Sequence, residues 1–275
     1  MDNKEQAKLE GMCIHGNFPP CDRCLQTSAE KKSEIPISIV DPKNKQAIAD
    51  YYQFEIDQGF STINPKSTFE KMIDFRQKQI HDNKLAVAVI KEDDKVVATG
   101  VVVLENGTMG RELTDDEAGA GGVVVSGDKR NSGLGEVMAQ QQIQMAQDSG
   151  KKSIVSRIDQ GNNASFRLHL KLGYQMEDIR READDSGHEK IDYKIRKSLT
   201  EEVEPQAWAQ AVASGQLAEA ASLDNNSPKS VLIDPNNDQL IEKALAQGYK
   251  GVYLLRPKDL SKKDQLNQDY FVFSK

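Results

Sequence analysis

The stretch VVVSGDKRNSGLGEVMAQQQIQ, residues 123–144, decides how the middle of the chain folds. It opens with a valine-rich run, continues through a polar turn that contains glycine, and ends with apolar residues at helical spacing. This pattern predicts a β-strand, a tight turn and a long α-helix that stops at Gly150. Gly133 and Gly135 stand where the turn becomes the helix.

The join between this strand and this helix has the chemistry of a phosphate site. The first amides of a helix have no partner inside it, the helix dipole favours negative charge there, and glycines allow another molecule to approach the backbone. We therefore expect the amides from Arg130 to Glu136 to bind a diphosphate, with the Arg130 guanidinium able to pair with it. The alternative is that Gly133 and Gly135 only relieve a tight turn.

Two better-known phosphate loops do not match this stretch. The P-loop requires a Gly-Lys-Ser/Thr ending, which the stretch lacks. The dinucleotide fingerprint requires a third glycine, which is also missing. The stretch therefore has the chemistry of a phosphate site without the pattern of either loop.

The elements around the stretch indicate an α/β (α+β) fold, a mixed twisted sheet with helices on both faces. Before it we predict a strand, a helix that starts at Asp41-Pro42, a second helix and a hairpin, at residues 35–40, 41–59, 67–82 and 84–107. After it we predict a strand, a short helix and two further strands, at residues 152–159, 162–173, 174–182 and 190–199.

The chain divides by its sequence into three parts, at residues 1–30, 35–199 and 200–275. A polar segment without periodicity separates the first two. The last part predicts a helical stretch around Trp208 to Ala221, then a strand, a helix ending at Gly248 and two strands. This order describes a small βαββ module.

The spacing Arg-x-x-Gly-x-Gly at Arg130, Gly133 and Gly135 resembles the acetyl-CoA motif of the GNAT superfamily of N-acetyltransferases. A second motif of that family is matched downstream by Asn162, Ser165, Leu168, Lys171, Gly173 and Tyr174. The resemblance covers about residues 35–199. It implies an acetyl-CoA-dependent enzyme that acetylates a primary amine, either of a small molecule or of a peptide or protein.

The resemblance also implies where acetyl-CoA binds. Val123 and Val125 are expected on a strand that splays from its neighbour and offers backbone groups to the pantetheine arm. The full set of implied cofactor residues is Val123, Val125, Arg130, Asn131, Ser132, Gly133, Leu134, Gly135 and Asn162.

Acetyl transfer to an amine needs a neutral amine, stabilisation of the thioester oxygen and a proton for the departing thiolate. In the family a tyrosine commonly supplies that proton, and here its position holds His169. Histidine can donate a proton near neutral pH. The alternative is a helix histidine that packs against Tyr174 or the cofactor's arm.

The acidic segment ELTDDE, residues 112–117, precedes the central strand and offers carboxylates as a general base. Glu112 and Glu117 are the candidates, and we assign the role to Glu117. The alternatives are that these carboxylates are merely solvated, or that they attract a cationic amine.

The N-terminal stretch CIHGNFPPCDRC, residues 13–24, contains every cysteine of the chain. Cys13, His15, Cys21 and Cys24 form two closely spaced pairs, which suit tetrahedral zinc in a structural site with no open position. The alternatives are an unmetallated tail and a redox Cys-x-x-Cys, although no predicted strand precedes Cys21.

Composition limits the partners and the compartment. The formal charge of −7 gives no broad basic field, so binding to nucleic acid is not expected. No apolar run is long enough to span a bilayer, and the charged N-terminus does not resemble a signal peptide, so we expect a cytoplasmic protein without a membrane partner.

A second functional hypothesis belongs to another class. In it, a catalytically inactive GNAT-like core acts as an adaptor that docks a protein partner through the zinc knuckle and the C-terminal module. The change to His169 favours this alternative, whereas the intact glycine turn favours the enzyme.

Overall fold

The structure is a computed structural model that describes residues 35–61, 67–183, 187–200, 219–220, 222–224, 227–256 and 268–275. The predicted zinc ligands Cys13, His15, Cys21 and Cys24 lie outside these residues, as does nearly all of the predicted helical stretch around Trp208. The described chain divides into two compact units. We call residues 34–156 with 197–202 the N-terminal unit, and residues 157–196 with 203–275 the C-terminal unit.

The N-terminal unit has a sheet in the order β1-β2-β3-β4-β5. Its neighbouring strands are antiparallel except for β4 and β5, which are parallel. The elements are β1 (Ile37–Ile39), α1 (Lys45–Asp57), α2 (Phe69–His81), β2 (Leu85–Glu92), β3 (Lys95–Val103), β4 (Glu117–Val125), α3 (Leu134–Asp148) and β5 (Ser153–Asp159). The last three residues of β5 belong to the C-terminal unit.

Helix α1 begins three residues later than the Asp41-Pro42 start that the sequence predicts. Asp41 Oδ1 accepts the Lys43 N–H at 2.8 Å, which places Pro42 in a turn. The Asn44 side chain then caps the helix by accepting the Ala47 N–H at 3.0 Å.

The same start signal recurs in the C-terminal unit. Asp234 Oδ1 accepts the Asn236 N–H at 2.8 Å, and the Asn237 side chain caps the next helix through the Leu240 N–H at 3.1 Å. The similar sequences ISIVDPKNKQAI and SVLIDPNNDQLI therefore encode one turn and one cap, used twice.

The predicted hairpin is confirmed, and its turn is tighter than the sequence pattern required. Asp93 and Asp94 have φ angles of 48° and 61°, the left-handed pair of a two-residue type I′ turn. Below the hairpin, the core of this unit packs Ile48 and Tyr51 of α1 and Ile73 of α2 on the inner residues of the sheet.

The elements of the C-terminal unit are α4 (Asn163–Lys171), β6 (Gln175–Ala183), β7 (Glu189–Ser198), β8 (Ser230–Ile233), α5 (Asp238–Ala246), β9 (Lys250–Leu255) and β10 (Tyr270–Ser274). Its strands form a sheet in the order β7-β6-β9-β10-β8. The last two residues of β7 belong to the N-terminal unit. The predicted βαββ order is present in β8, α5, β9 and β10.

The βαββ module continues the sheet of the preceding strands. Strand β9 pairs with β6 at Met176↔Gly251, and a Cβ on Gly251 would lie 2.9 Å from the Met176 Cβ, so glycine permits this approach. The ring of Phe166 in α4 packs edge-to-face on Tyr193 and Phe271, with centroids 5.4 and 5.0 Å apart. The compact unit therefore crosses the boundary that we drew at residue 200.

The fold is mixed α/β, with a mostly antiparallel sheet, as the sequence predicts. None of the helices in the described ranges has the length and apolar character needed to cross a membrane.

Candidate functional site

Backbone amides at the start of α3 lack a hydrogen-bond acceptor within the described residues. Gly133 is the N-cap, with φ 90°, and it has no side chain to cap the helix. Within the described residues, the amides of Gly133, Leu134 and Gly135 have no hydrogen-bond acceptor. Of the predicted range Arg130 to Glu136, the Ser132 and Glu136 amides donate to the Lys129 and Gly133 carbonyls at 3.4 and 3.1 Å. The first turn of this 15-residue helix thus keeps three donors that an anion could accept.

The turn before α3 is shaped from within and anchored at one point. Asn131 has φ 64°, and Ser132 Oγ donates to the Lys129 carbonyl at 2.6 Å. The Lys129 ammonium forms an ion pair with Glu92 at the end of β2, and this hydrogen bond raises the Lys129 pKa. Arg130, Asn131 and Ser132 are exposed, Gly133 and Gly135 are partly exposed, and Leu134 is buried.

Strand β4 changes its pairing halfway along. Its parallel ladder with β5 in this unit ends at Gly119↔Val155, and next to it the Ser156 side chain donates to the Ala120 carbonyl at 3.4 Å. On the other edge, Val123 and Val125 remain paired with β3. Both valines are partly exposed, as expected of a segment that offers backbone groups to a ligand.

The ring of Phe60 covers the middle of β4. A Cβ built on Gly122 would clash with the Phe60 Cζ and with both Cε atoms, so the outer end of the ring lies directly against the strand backbone. Phe60 is nevertheless 53% exposed. An exposed aromatic ring on a strand of the candidate site is well placed to contact a ligand, and the sequence analysis missed it.

Glu55 holds the turn that carries Phe60. Its carboxylate accepts the Ser61 hydroxyl at 2.9 Å, and its backbone carbonyl accepts the Phe60 N–H at 2.9 Å. Burial raises the pKa of Glu55, and the Arg76 guanidinium 4.0 Å away partly offsets this effect. The Phe60 turn is thus fixed by a buried ion pair.

Glu117, the predicted base, stands at the opposite end of β4 from Val123 and Val125. Val123 lies six positions after Glu117 along the strand, about 20 Å at 3.3 Å per residue. The Glu117 carboxylate is buried and accepts the Thr114 N–H at 2.9 Å. The structure therefore separates this carboxylate from the valine segment and gives it a local partner.

His169, the predicted general acid, is buried in α4 of the C-terminal unit, with 5% exposure. Its Nδ1 lies 2.8 Å from the Ser165 carbonyl, which only accepts, so Nδ1 carries the proton. Nε2 is buried and has no hydrogen-bond partner in the described part of the chain. Its ring packs edge-to-face on Tyr174 with centroids 5.0 Å apart, the contact of the alternative interpretation.

Burial lowers the pKa of His169 below its ordinary 6.5, and the Ser165 carbonyl only partly opposes this shift. The unfolded chain therefore binds the proton more readily than the folded one. The contribution of neutral His169 to the free energy of unfolding is fully present above about pH 6.5 and is lost as pH falls through the folded pKa. The loss is about 1.4 kcal/mol for each pH unit between the unfolded and the folded pKa.

We therefore expect the free energy of unfolding to fall between about pH 7 and pH 5 in the wild type, and less steeply in the His169→Gln variant. Urea denaturation at a series of pH values measures both slopes. His81→Gln is the matched control, because the His81 side chain is 74% exposed. Equal slopes in the wild type and His169→Gln would contradict the assignment of a neutral ring.

Asn162 and Ser165 of the second predicted motif have defined local roles. Asn162 is the N-cap of α4, and its side chain accepts the Ser165 N–H at 3.2 Å. The helix ends at Lys171, followed by Gly173 with φ 85°. The motif thus specifies the two ends of a short helix, whatever else its residues contact.

A groove of about 500 Å³ opens elsewhere on the N-terminal unit. It lies along α1 and reaches the β2–β3 turn, with Asp50, Asp57 and Asp94 in its lining. It contains none of the residues of the glycine turn. Across the described ranges, no group of three or more His, Cys, Asp or Glu side chains is arranged to hold a metal ion.

Residues 46–174 match the model of the Acetyltransferase (GNAT) family. This range includes the glycine turn, β4, α3 and α4. No curated protein matches the chain.

Several solved structures are similar to this chain. A ribosomal-protein-alanine N-acetyltransferase from Brucella melitensis is 17% identical, covers 60% of this chain and 99% of its own, and has a TM-score of 0.48. A GNAT-family acetyltransferase from Streptococcus pneumoniae is 18% identical, with 60% and 99% covered and a TM-score of 0.48. An N-acetyltransferase from Staphylococcus aureus is 15% identical, with 61% and 99% covered and a TM-score of 0.48.

Proposed function

We propose that this chain, which contains a GNAT acetyltransferase domain at residues 46–174, transfers an acetyl group from acetyl-CoA to a primary amine. The observation that carries the proposal is the set of amides at Gly133, Leu134 and Gly135, which have no hydrogen-bond acceptor among the described residues at the start of α3. Such amides fit a diphosphate, because they combine free donors with the positive end of the helix dipole. The exposed Arg130 adds a cation beside them.

In the reaction, the amine nitrogen attacks the thioester carbonyl carbon, a C–N bond forms, and the C–S bond breaks to release the CoA thiolate. We assign stabilisation of the thioester oxygen to the backbone of the Val123–Val125 segment. The amine must lose a proton, and we propose that solvent takes it, since Glu117 lies about 20 Å along β4 from this segment.

The proton for the thiolate has no ready donor in His169, because its Nδ1–H donates to the Ser165 carbonyl and burial lowers the pKa of the ring. To act as the acid it must first gain a proton on Nε2, which burial opposes. This observation favours a second candidate function, an adaptor that binds CoA without turnover and docks a protein partner through residues 1–30 and 200–275.

Incubation of the purified chain with acetyl-CoA and a panel of amines, polyamines, amino acids and peptides separates the two candidates. Free thiol is followed over time, with amine-free samples as the background because the chain has its own three cysteines. Turnover supports the enzyme, and a thermal shift from CoA without turnover supports the adaptor. The absence of both turnover and a thermal shift would refute both candidates.

We also propose that Cys13, His15, Cys21 and Cys24 bind one structural zinc ion, in keeping with a reducing cytoplasm. The support is the donor set in the sequence, a Cys-x-His pair and a Cys-x-x-Cys pair separated by the five residues GNFPP. Elemental analysis should find about one zinc per wild-type chain and well under half of that in Cys21→Ser. Equal metal content in both proteins would contradict the site.

A further inference from the structure

Strand β4 contains a β-bulge between its two regular segments. Its pairing with β3 is regular at Val102↔Ala120 and again from Gly100↔Val123 onward. Between these pairs, Gly121 and Gly122 stand opposite the single residue Val101. A bulge of this kind interrupts the ladder and leaves backbone groups without strand partners.

The side chain of Gln142 in α3 bonds to both strands at the bulge. Its Nε2 donates to the Val101 carbonyl of β3 at 2.8 Å and to the Gly121 carbonyl of β4 at 3.1 Å. Both acceptors are carbonyls, so this geometry fixes which end of the amide faces the bulge. Gln142 is fully buried, so these bonds replace water that cannot reach the carbonyls.

Two glycines allow this arrangement. A Cβ on Gly121 would lie 2.9 Å from the Val101 carbonyl oxygen, which no real Cβ tolerates. A Cβ on Gly100 would lie 3.1 Å from the Met138 Cε and 3.4 Å from the Met138 carbonyl oxygen, so Gly100 leaves room for α3 beside the bulge. The bulge, Gly100 and Gln142 therefore form one unit of packing.

This packing joins the two halves of the candidate cofactor site. Gln142 lies eight residues after Leu134, about 12 Å along the same helix from the amides that fit the diphosphate. The Gln142 side chain donates a hydrogen bond to the carbonyl of Gly121 in β4, and Gly121 lies two residues before Val123. One side chain thus sets the position of the Val123–Val125 backbone relative to the first turn of α3.

We propose that Gln142 is a positioning residue for acetyl transfer, which aligns the Val123–Val125 backbone with a thioester whose diphosphate is held at the start of α3. The inference rests on the proposed transferase function. Gln142 touches neither substrate, so its removal should impair the chemical step more than it impairs cofactor binding.

The test compares Gln142→Met, which removes both donors at similar volume, with Gln142→Glu, which points an acceptor at two carbonyls. Gln140→Met is the matched control, because Gln140 is exposed on the same helix. We expect kcat to fall about tenfold to a hundredfold in both Gln142 variants. The Kd of CoA, measured by calorimetry, should stay within about threefold of wild type.

The pH profile adds a readout that a loss of packing alone would not move. In Gln142→Glu, a protonated carboxyl regains one donor, so kcat relative to wild type should rise as pH falls. Hydrogen exchange of β4 provides a measurement independent of turnover, and its amides should exchange faster in Gln142→Met than in Gln140→Met.

The outcomes separate this inference from the proposed function. If the wild type turns over and Gln142→Met keeps its kcat, the inference is wrong while the transferase stands. If kcat and CoA affinity fall in parallel with the melting temperature, Gln142 is only structural and the inference is also wrong. If the wild type shows no turnover, the transferase fails, and unchanged exchange in β4 would then refute the role of Gln142 separately.

Discussion

Replacing Gly133 by glutamate should weaken the binding of acetyl-CoA at least about a hundredfold, which corresponds to about 2.7 kcal/mol. Gly133 has φ 90°, a conformation that costs an L-residue roughly 1–2 kcal/mol. The added carboxylate would also sit beside the amides of Leu134 and Gly135, where it can cap the helix in place of the diphosphate. The Kd of CoA by titration calorimetry measures the effect.

Two variants separate strain from charge in this result. Gly133→Ala introduces the strain without the carboxylate, so we expect a loss of about tenfold. Gly127→Ala is the control in the same turn, because a Cβ at Gly127 meets nothing within 4 Å, and it should bind like wild type. A Kd for Gly133→Glu within about threefold of wild type would contradict the proposal that the amides at the start of α3 bind the cofactor.

The sequence predicted those parts of the fold that local chemistry determines. The acidic pair Asp93-Asp94 makes a two-residue turn between β-rich runs, and its left-handed φ values suit Asp, which tolerates them. Asn237 and Asn162 begin helices because their side chains satisfy an amide that the helix itself cannot. Each signal acts within a few residues, so no tertiary contact is needed to recognise it.

The bulge and the two hydrogen bonds of Gln142 to it depend on contacts between residues far apart in the chain, and the sequence analysis missed both. A signal for the bulge existed, because Gly121 and Gly122 interrupt a strand pattern, which is typical of a bulge. Gln142 is one of three consecutive glutamines, and only the structure shows that it lies on the buried stripe of α3. Helical spacing does not separate it from Gln141, because each lies three or four residues from both Met138 and Met145.

The candidate site shows the same division between local and distant information. The missing acceptors at Gly133 to Gly135 could be predicted, because the first amides of a helix have no partner inside it whatever surrounds them. The state of His169 was not, although Phe166 and Leu170 mark the buried face of α4 on which it lies. A histidine's charge depends on desolvation and on its hydrogen-bond partner, and neither can be read from a motif.

The buried carboxylate of Asp192 in β7 should give the largest loss of stability on substitution. Its Oδ1 accepts Arg157 Nη1 at 2.7 Å, and its Oδ2 accepts Arg180 Nε at 3.0 Å and Nη2 at 2.6 Å. Asp192→Asn turns an amide donor toward these guanidinium groups, so at least one bond is lost. We expect the free energy of unfolding to fall by about 3 kcal/mol, the low end for a broken buried pair because both arginines are partly exposed.

The matched control is Asp159→Asn in the same unit. Asp159 pairs with Lys190 at 3.0 Å, but its side chain is 61% exposed, so we expect a loss below about 1 kcal/mol. Urea denaturation followed by circular dichroism measures both variants. Equal losses in the two would mean that burial does not strengthen the Asp192 interaction.

The pH dependence gives this prediction a second readout. Burial alone would raise the pKa of Asp192, but the hydrogen bonds from Arg180 and Arg157 outweigh it and hold the pKa below its usual 3.8. A folded pKa below the unfolded value means that the stability is present above about pH 4 and is lost as pH falls through the folded pKa. The difference in free energy of unfolding between wild type and Asp192→Asn should therefore be largest at neutral pH and become small in acid, because protonation removes the same charge that the substitution removes. A difference that stays constant down to about pH 2 would mean that the loss comes from packing and not from the carboxylate charge.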